Sequence, residues 1–544
     1  MASLEYSMTN TNIALKDVSY VLPDGRTLFS DLHEQFDVRP TGLVGRNGVG
    51  KTLLARILAG LLQPTTGHCQ CSGSVHYLSQ QVVHPDDSTV ADLAGVKQTL
   101  DALAHIESGS TAPEDFDAVG DRWDIHQRLR HELERNNLSH LEADTPANIL
   151  SGGEVMRVSL IGAMLSDADF LMLDEPSNHL DRPNRQALIE QLQSWPRGLI
   201  VVSHDRQLLE CMERIVELSS QGLHIYGGNY SFYAAAKAHE QQNALHNLCE
   251  RKLERQRQEQ AMRKQRERLE RRQARGNRQG KKANQAKVLL DRQKERSEAS
   301  SGTLHRKQAT CRAQLNQRVR EAAQQIEDES QITLHEIPIK QPAKRRVADF
   351  NDVELPYVAG ATRRVSLTLG GQQRIGIVGP NGCGKSTLLR VLAGQVAPLA
   401  GVTKVTPESA YLDQRLESLD PEKTVLEQLQ LANCTATEGD LRMRLAQLGL
   451  DAQKIATPSG SLSGGERLKG ALACILYANS PPQLLLLDEP NNHLDLPSVQ
   501  ALEIMLRGYQ GTLVVVSHDD SFLENLGLTD RLLATEQGWS LESL

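Results

Sequence analysis

The sequence predicts an α/β protein: two P-loop nucleotide-binding domains joined by a basic helical hairpin linker. A phosphate-loop motif occurs twice, each copy leads the same ordered set of short motifs, and a basic segment without aromatic residues separates the two sets. The expected division is 1–233 for the first domain, 234–346 for the linker and 347–544 for the second domain.

The loops are GRNGVGKT at 45–52 and GPNGCGKS at 379–386. Both satisfy G-x-x-x-x-G-K-[ST], and each lies between a short apolar segment and a helix-like run, the context this motif requires. A glutamine stands 29 residues after each loop lysine, Gln80 after Lys51 and Gln414 after Lys385. LSGGE follows at Leu150–Glu154 and Leu462–Glu466. An apolar strand then ends in Asp-Glu-Pro at Asp174–Pro176 and Asp488–Pro490, continued by SNHLD and NNHLD. A Val-rich strand ends in Ser-His-Asp at Ser203–Asp205 and Ser517–Asp519. Glu175 to His204 and Glu489 to His518 are both 29 residues apart. One spacing breaks the symmetry: Gln80 to Ser151 is 71 residues and Gln414 to Ser463 is 49. The extra residues fall near 95–125. Val96, Leu100, Leu103 and Ile106 lie there at helical spacing, and Trp123, Leu129 and Leu133 suggest a second helix. A short helical arm is expected; a longer surface loop is the alternative.

Composition narrows the class. The 544 residues are 39% hydrophobic and 24% charged, ordinary for a globular chain. No apolar run approaches the roughly 18 residues a membrane span needs. MASLEYSMTN has no basic start followed by an apolar core, so no secretory leader is expected. The eight cysteines form no C-x-x-C pair, which fits a reducing, cytoplasmic setting and structural roles for Cys69 and Cys71. The net charge of −8 is divided: Lys237–Arg346 holds 28 Lys/Arg against 14 Asp/Glu, leaving −22 for the remainder. A basic middle between acidic flanks marks where an anionic partner would bind.

Residues 234–349 contain no Phe, Tyr or Trp. About 236–272 is rich in good helix formers, with Glu259–Arg263 and Glu267–Arg271 at i,i+4. Leu304, Cys311, Leu315, Val319, Ala322 and Ile326 form a narrow apolar stripe on a second helix. Gly276, Gly280 and Gly302 with neighbouring serines interrupt the middle. The expectation is an antiparallel hairpin with a basic tip near 273–302. Arg263–Arg296 alone carries 14 Lys/Arg against 4 Asp/Glu. That suits the phosphates of folded RNA, read by shape, since no aromatic is present to stack on bases. A solvated charged linker is the alternative.

The ordered motifs resemble the ATP-binding cassette (ABC) ATPases over roughly 420 of the 544 residues. Loop glycines let backbone N–H groups approach phosphates, here Gly45, Asn47, Gly48 and Gly50, and Gly379, Asn381, Gly382 and Gly384. Lys51 and Lys385 should reach the β- and γ-phosphates of ATP. Thr52 and Ser386 should give a hydroxyl to Mg²⁺, supported by Asp174 and Asp488, with Gln80 and Gln414 completing the metal and water shell. Glu175 and Glu489 are the candidates to polarise the attacking water, and His204 and His518 to face the γ-phosphate. The resemblance implies that LSGGE binds the ATP of the opposite cassette. Site one (Lys51) would then be closed by Ser463, Gly464 and Gly465, and site two (Lys385) by Ser151, Gly152 and Gly153. It also implies adenine stacking by Tyr20 and Tyr357, or else half-buried strand tyrosines there. The first cassette reads FDVRPTGLVG against LTLGGQQRIGIVG, so its lead-in strand should be shorter. Cys383, between two glycines at a helix N-terminus, should favour the thiolate.

Twin cassettes, no span, a basic helical linker, NHLD after both Asp-Glu-Pro motifs and YGGNYSFY at Tyr226–Tyr233 resemble the ABC-F family. The resemblance implies a cytoplasmic ATPase that binds the ribosome at the tRNA exit site. Its linker would point to the peptidyl-transferase centre, ribosomal RNA and P-site tRNA, in a monomer with intramolecular cassette pairing. It implies either a housekeeping translation factor or ribosome protection against antibiotics. Other readings fit less well. A twin-cassette subunit of a sugar importer would lack the basic linker. The ribosome-recycling twin ATPase has a cysteine-rich iron–sulfur domain. Chromosome and repair ATPases interrupt a cassette with their insertions.

Overall fold

A computed structural model describes residues 11–80, 85, 87–178, 180–282, 306–323, 346–413, 419–492 and 494–544. The chain forms two compact units: Met1–Tyr233 with Gln331–Leu544, which holds both cassettes, and Ala234–Ser330.

Each cassette is built on a six-stranded sheet. In the first, the order is Val75–Leu78, Phe170–Asp174, Gly198–Val202, Thr41–Gly45, Arg214–Ser219, Gly222–Tyr226; all neighbours are parallel except the last pair. The second repeats it with Ser409–Leu412, Leu484–Asp488, Thr512–Val516, Arg374–Val378, Asp530–Thr535 and Gly538–Ser543. The central strands are continuous apolar runs (FLMLD, GLIVV, LLLLD, TLVVV) and are buried throughout, as a parallel sheet covered on both faces requires. A three-stranded antiparallel sheet accompanies each: Thr27–Phe36, Ile13–Val21, Thr66–Cys71 in the first cassette, and Arg364–Gly370, Arg346–Glu354, Ala400–Val405 in the second. One core of the first cassette joins Ile13, Phe29 and Phe36 of the antiparallel sheet to Leu54 of the loop helix and Met172 and Ile200 of the parallel sheet.

The lead-in strands, Thr41–Gly45 and Arg374–Val378, are both five residues long. The expected shortening in the first cassette does not occur, because Asp37–Pro40 makes the turn that Gly371–Gln373 makes in the second. The region near 95–125 is helical, with Lys97–Glu107 and Pro113–Val119 followed by Ile125–Arg135. Val96, Ile125, Leu129 and Leu133 enter a core with Val158 and Ile161. Trp123 is not on the second helix; it lies in the turn before it, exposed, 6.1 Å from the Phe116 ring.

In the other unit, a helix Tyr230–Lys282 continues through Gly276 and Gly280, beyond the expected break at 273. A second helix covers 306–323. The two run antiparallel, since Glu254 pairs with Arg318 (3.6 Å) and Glu259 with Arg312 (3.8 Å). Along the first helix Glu267 pairs with Arg263, and Glu270 with Arg266. Leu315 and Ala322 of the apolar stripe are buried. Residues 283–302 of the expected tip, and Leu304 and Ile326 of the stripe, lie outside the described residues. No helix among the described residues is long and apolar enough to cross a membrane.

Candidate nucleotide sites

The phosphate loops leave the C-terminal ends of Thr41–Gly45 and Arg374–Val378, at the centre of each sheet, where open parallel sheets bind ligands. Each opens a helix, Lys51–Leu58 or Lys385–Leu392. Gly50 and Gly384 have φ of 105° and 100°; a Cβ there would also meet Phe29 at 3.0 Å or Val358 at 2.7 Å. Only glycine lets the loop close down over that apolar floor. The lysine amines donate back into the loops: Lys51 Nζ to the Gly45 and Arg46 carbonyls (2.8 and 3.0 Å), Lys385 Nζ to those of Gly379 and Pro380 (both 2.9 Å). Burial holds the Lys51 ammonium below the usual lysine range, against the nearby Glu175.

Asp174 and Asp488 end the strands two places from the loop strands. A tyrosine on the next strand steadies each: Tyr77 Oη donates to Asp174 Oδ2 (3.4 Å) and Tyr411 Oη to Asp488 Oδ2 (3.2 Å). Sequence reasoning missed both tyrosines, although they stand three residues before Gln80 and Gln414 in both repeats. Burial raises both aspartates, opposed by the Thr52 and Ser386 hydroxyls. Asp174 Oδ1 and Asp488 Oδ1 are buried without a hydrogen-bond partner. No group of three or more His, Cys, Asp or Glu among the described residues could hold a metal alone. One hydroxyl and one carboxylate per site, with an orphaned oxygen, is the donor set of Mg²⁺ shared with substrate phosphates.

Glu175 and Glu489 both take φ of 49°, a left-handed conformation uncommon outside glycine, and donate their backbone N–H to Val202 O (2.8 Å) and Val516 O (3.0 Å). Such backbone outliers cluster at functional sites. The turn brings each carboxylate to 3.5 Å from a histidine Nε2 on the neighbouring strand end, His204 or His518. Burial pushes both glutamates up to about 8, and takes the histidines down to about 3 for His204 and about 4 for His518, so each imidazole is neutral at pH 7.

Around Lys51, Thr52, Gln80, Asp174, Glu175 and His204 lies a cavity of about 500 Å³; Asn491, Asn492, Leu494, Val499 and Asp519 of the second cassette complete its wall. Around Lys385, Ser386, Asp488, Glu489 and His518 lies one of about 400 Å³, to which the first cassette gives Leu180 and Arg185. Gln414 lies outside the described residues.

The cross-cassette contact at each loop comes from the last residue of SNHLD or NNHLD. Asp495 Oδ2 accepts from Asn47 N (2.9 Å), and Asp181 Oδ2 from Asn381 N (3.1 Å). Each aspartate also N-caps its own helix, Arg182–Gln193 or Leu496–Arg507. Sequence reasoning had not given these aspartates a role. The LSGGE residues, expected to close the sites, line neither cavity. Ser151 and Ser463 instead N-cap the helices Gly152–Leu165 and Gly464–Leu476 in capping boxes with Glu154 and Glu466. Gly153 and Gly465 pack over Asn184 and Ser498, where a Cβ would clash.

Tyr357 lines the second cavity and is 96% exposed, free to meet a base. Tyr20 does not line the first. It packs against the apolar core, 6.2 Å from the Phe29 ring, and Leu22, Arg26 and Leu28 take the place expected for it. Cys383 is also corrected. Its sulfur tucks beside Gly379, and burial raises the thiol above its ordinary range, outweighing Lys385.

The comparisons agree with this architecture. The family model described as ABC transporter matches residues 37–178 and 362–492. The energy-dependent translational throttle protein EttA of Mycobacterium tuberculosis is 32% identical over 512 residues, covering 89% of this chain and 84% of that protein. The tylosin resistance ATP-binding protein TlrC of Streptomyces fradiae is 31% identical over 515 residues, 88% of this chain and 89% of its own. The archaeal ribosome recycling factor aABCE1, solved with the stalk protein aP1, shares the fold at a TM-score of 0.54 and 18% identity, over 97% of this chain and 90% of that one. The fold and sites define a twin-cassette ATP hydrolase. Within that class, the chain belongs to the ABC-F family of ABC ATPases.

Proposed function

We propose that this protein is a cytoplasmic, monomeric ribosome factor in which ATP at two sites holds cassettes 1–233 and 347–544 together, and the linker 234–346 meets RNA in that state. The observation that carries the reading is the reciprocal contact at the phosphate loops: Asp495 on Asn47 and Asp181 on Asn381. Nucleotide in either loop therefore acts on both cassettes. Similarity to proteins named for translation and for tylosin resistance, together with the basic linker, supports the ribosome as partner. The site is the tRNA exit site, with the linker toward the peptidyl-transferase centre and P-site tRNA. The role is that of a housekeeping translation factor or of protection against antibiotics.

In each site the loop amides and Lys51 or Lys385 bind the β- and γ-phosphates. Mg²⁺, held by Thr52 and Asp174 or by Ser386 and Asp488 with Gln80 or Gln414 alongside, would neutralise charge on the transferred group. In their ionised form, whose onset burial shifts toward about pH 8, Glu175 and Glu489 take the proton of the attacking water as its oxygen bonds to the γ-phosphorus and the bond to ADP breaks. Neutral His204 and His518 donate Nε2–H to the γ-phosphate. Ser151 with Gly152 and Gly153, and Ser463 with Gly464 and Gly465, lie at helix N-termini and cap the opposite nucleotide as closure advances. Tyr357 stacks on one adenine.

Changing both Glu175 and Glu489 to Gln should leave ATP binding intact and lower hydrolysis by about 10²–10⁴-fold. The closed state then accumulates, and the variant should co-sediment with ribosomes in ATP but not in ADP. Normal hydrolysis would remove the catalytic assignment. Trapped ATP without ribosome binding would remove the translation reading and leave the chemistry.

A further inference from the structure

The two halves of the internal repeat do not pair with equal charges across the cassette interface. Arg185 stands four residues after Asp181; the residue four after Asp495 is Val499. Arg206 follows Asp205, whereas Asp520 follows Asp519; Glu503 lies eight after Asp495, whereas Ile189 lies eight after Asp181. One side of the pseudo-twofold interface thus carries a buried Arg206–Glu503 pair at 2.6 Å. The other carries a pair between exposed Arg182 and half-buried Asp520 at 3.1 Å, and Arg185.

Arg185 is buried, lines both cavities, and makes contacts that join the two sites. Its Nη1 donates to the backbone carbonyl of His518 (3.0 Å), which faces Glu489 in site two. Its Nε lies 3.2 Å from Asp205 Oδ2, the residue after His204 in site one. The carbonyl of His518 is thus held from the opposite cassette by a charged donor, and Val499, at the matching place in site one, has no group to donate. Resting on the assignment of Glu489 and His518 above, we propose that Arg185 is a trans-acting positioning residue for site two, which makes hydrolysis there depend on cassette pairing more than at site one.

A guanidinium bonded to the carbonyl fixes the strand end from which the His518 ring projects, while the ring itself meets Asn381 Oδ1 of its own cassette at 3.2 Å, so pulling the cassettes apart loosens the backbone hold on the ring and leaves that contact to keep it beside Glu489. Displacements of about 1 Å cost catalysis up to about 100-fold. Among the described residues no side chain of the second cassette bonds to the His204 carbonyl in site one; the Asp495 carboxylate of that cassette acts on the ring by charge. The two sites therefore respond differently to closure although their phosphate loops match.

The test uses the full chain with one site silenced. Glu175→Gln leaves site two active and Glu489→Gln leaves site one active. Arg185→Val, the side chain found at the matching place, and Arg185→Lys, which keeps a charged donor, are added to each. Phosphate release is followed in single-turnover reactions, which report a site that hydrolyses once without recycling. Expected is a fall of about tenfold in the single-turnover rate for Arg185→Val with site two active, at little change in the ATP concentration for half-saturation, and a fall of less than about threefold with site one active. Arg185→Lys should recover most of the site-two rate. Equal falls in both backgrounds, a loss confined to half-saturation, or Lys no better than Val would overturn the proposal. If the Glu175→Gln, Glu489→Gln double variant hydrolyses ATP normally, the underlying assignment of the glutamates fails instead.

Discussion

Cys383 shows how a neighbourhood reverses a local rule. Beside a helix N-terminus and a lysine a thiol should ionise easily. Here its sulfur lies against Gly379, in the place a Cβ on that glycine would need, and removal from water outweighs the lysine. A thiol whose folded-state value is raised reacts as thiolate only as pH climbs past the ordinary thiol range. In a protein whose other cysteines are serine, maleimide labelling of Cys383 should be slow at pH 7 and accelerate as pH climbs past the ordinary thiol range, and Mg-ATP should suppress it. Fast labelling at pH 7 would mean that the sulfur is not tucked beneath the loop. Tyr20 and Tyr357 carry the same lesson. Both precede a phosphate loop by similar distances, but one is packed against Phe29 and the other stands in solvent at a cavity. Chain distance could not separate them, because Tyr20 lies on the antiparallel strand Ile13–Val21 whereas Tyr357 lies in the turn that follows Arg346–Glu354, at a φ of 61°.

At the scale of elements, the linker helix Tyr230–Lys282 carries Arg275, Arg278, Lys281 and Lys282 near its end. Changing all four to Gln should weaken ribosome binding and reduce its salt slope by up to about 3, while leaving nucleotide binding unchanged. Ribosome co-sedimentation from 50 to 200 mM salt measures it, and an unchanged slope would make these residues a solvated face. The helix runs through two glycines that its sequence suggested as breaks. Each costs about 1 kcal/mol relative to alanine, and 53 residues rich in Glu, Gln, Lys and Arg outweigh them. The arm helices were legible for the opposite reason: their apolar spacing was matched by a core to receive it, as Ile125, Leu129 and Leu133 show.

For the whole molecule, cassette pairing is the property on which the proposed function depends, and among the described residues Arg206–Glu503 is the most buried ion pair across the cassettes, with side chains 7% and 9% exposed. Arg206→Met alone should destabilise the paired cassettes by about 3–5 kcal/mol, because it leaves Glu503 buried without its partner. Adding Glu503→Leu should recover most of that. Thermal denaturation of the full chain with and without ATP measures both; equal losses for the single and double variants would show that the pair is worth little beyond its packing.

The amino-acid sequence by itself determined the parts that repeat. Lys51, Asp174, Glu175 and His204, and their counterparts, which line the two cavities, could be picked out because they recur at set distances along the chain, and two copies in register exclude accident. The family and the basic helical linker were readable for the same kind of reason, since motif order and charge are local properties. Tertiary structure alone decided what depends on two distant segments meeting. It put Asp181 and Asp495 on the opposite phosphate loops, left the LSGGE serines in their own capping boxes, and brought Arg185 to the carbonyl of His518. A hydrogen bond between residues 333 positions apart leaves no periodic trace in sequence, because nothing but the packing of the two cassettes brings its donor and acceptor within 3.0 Å.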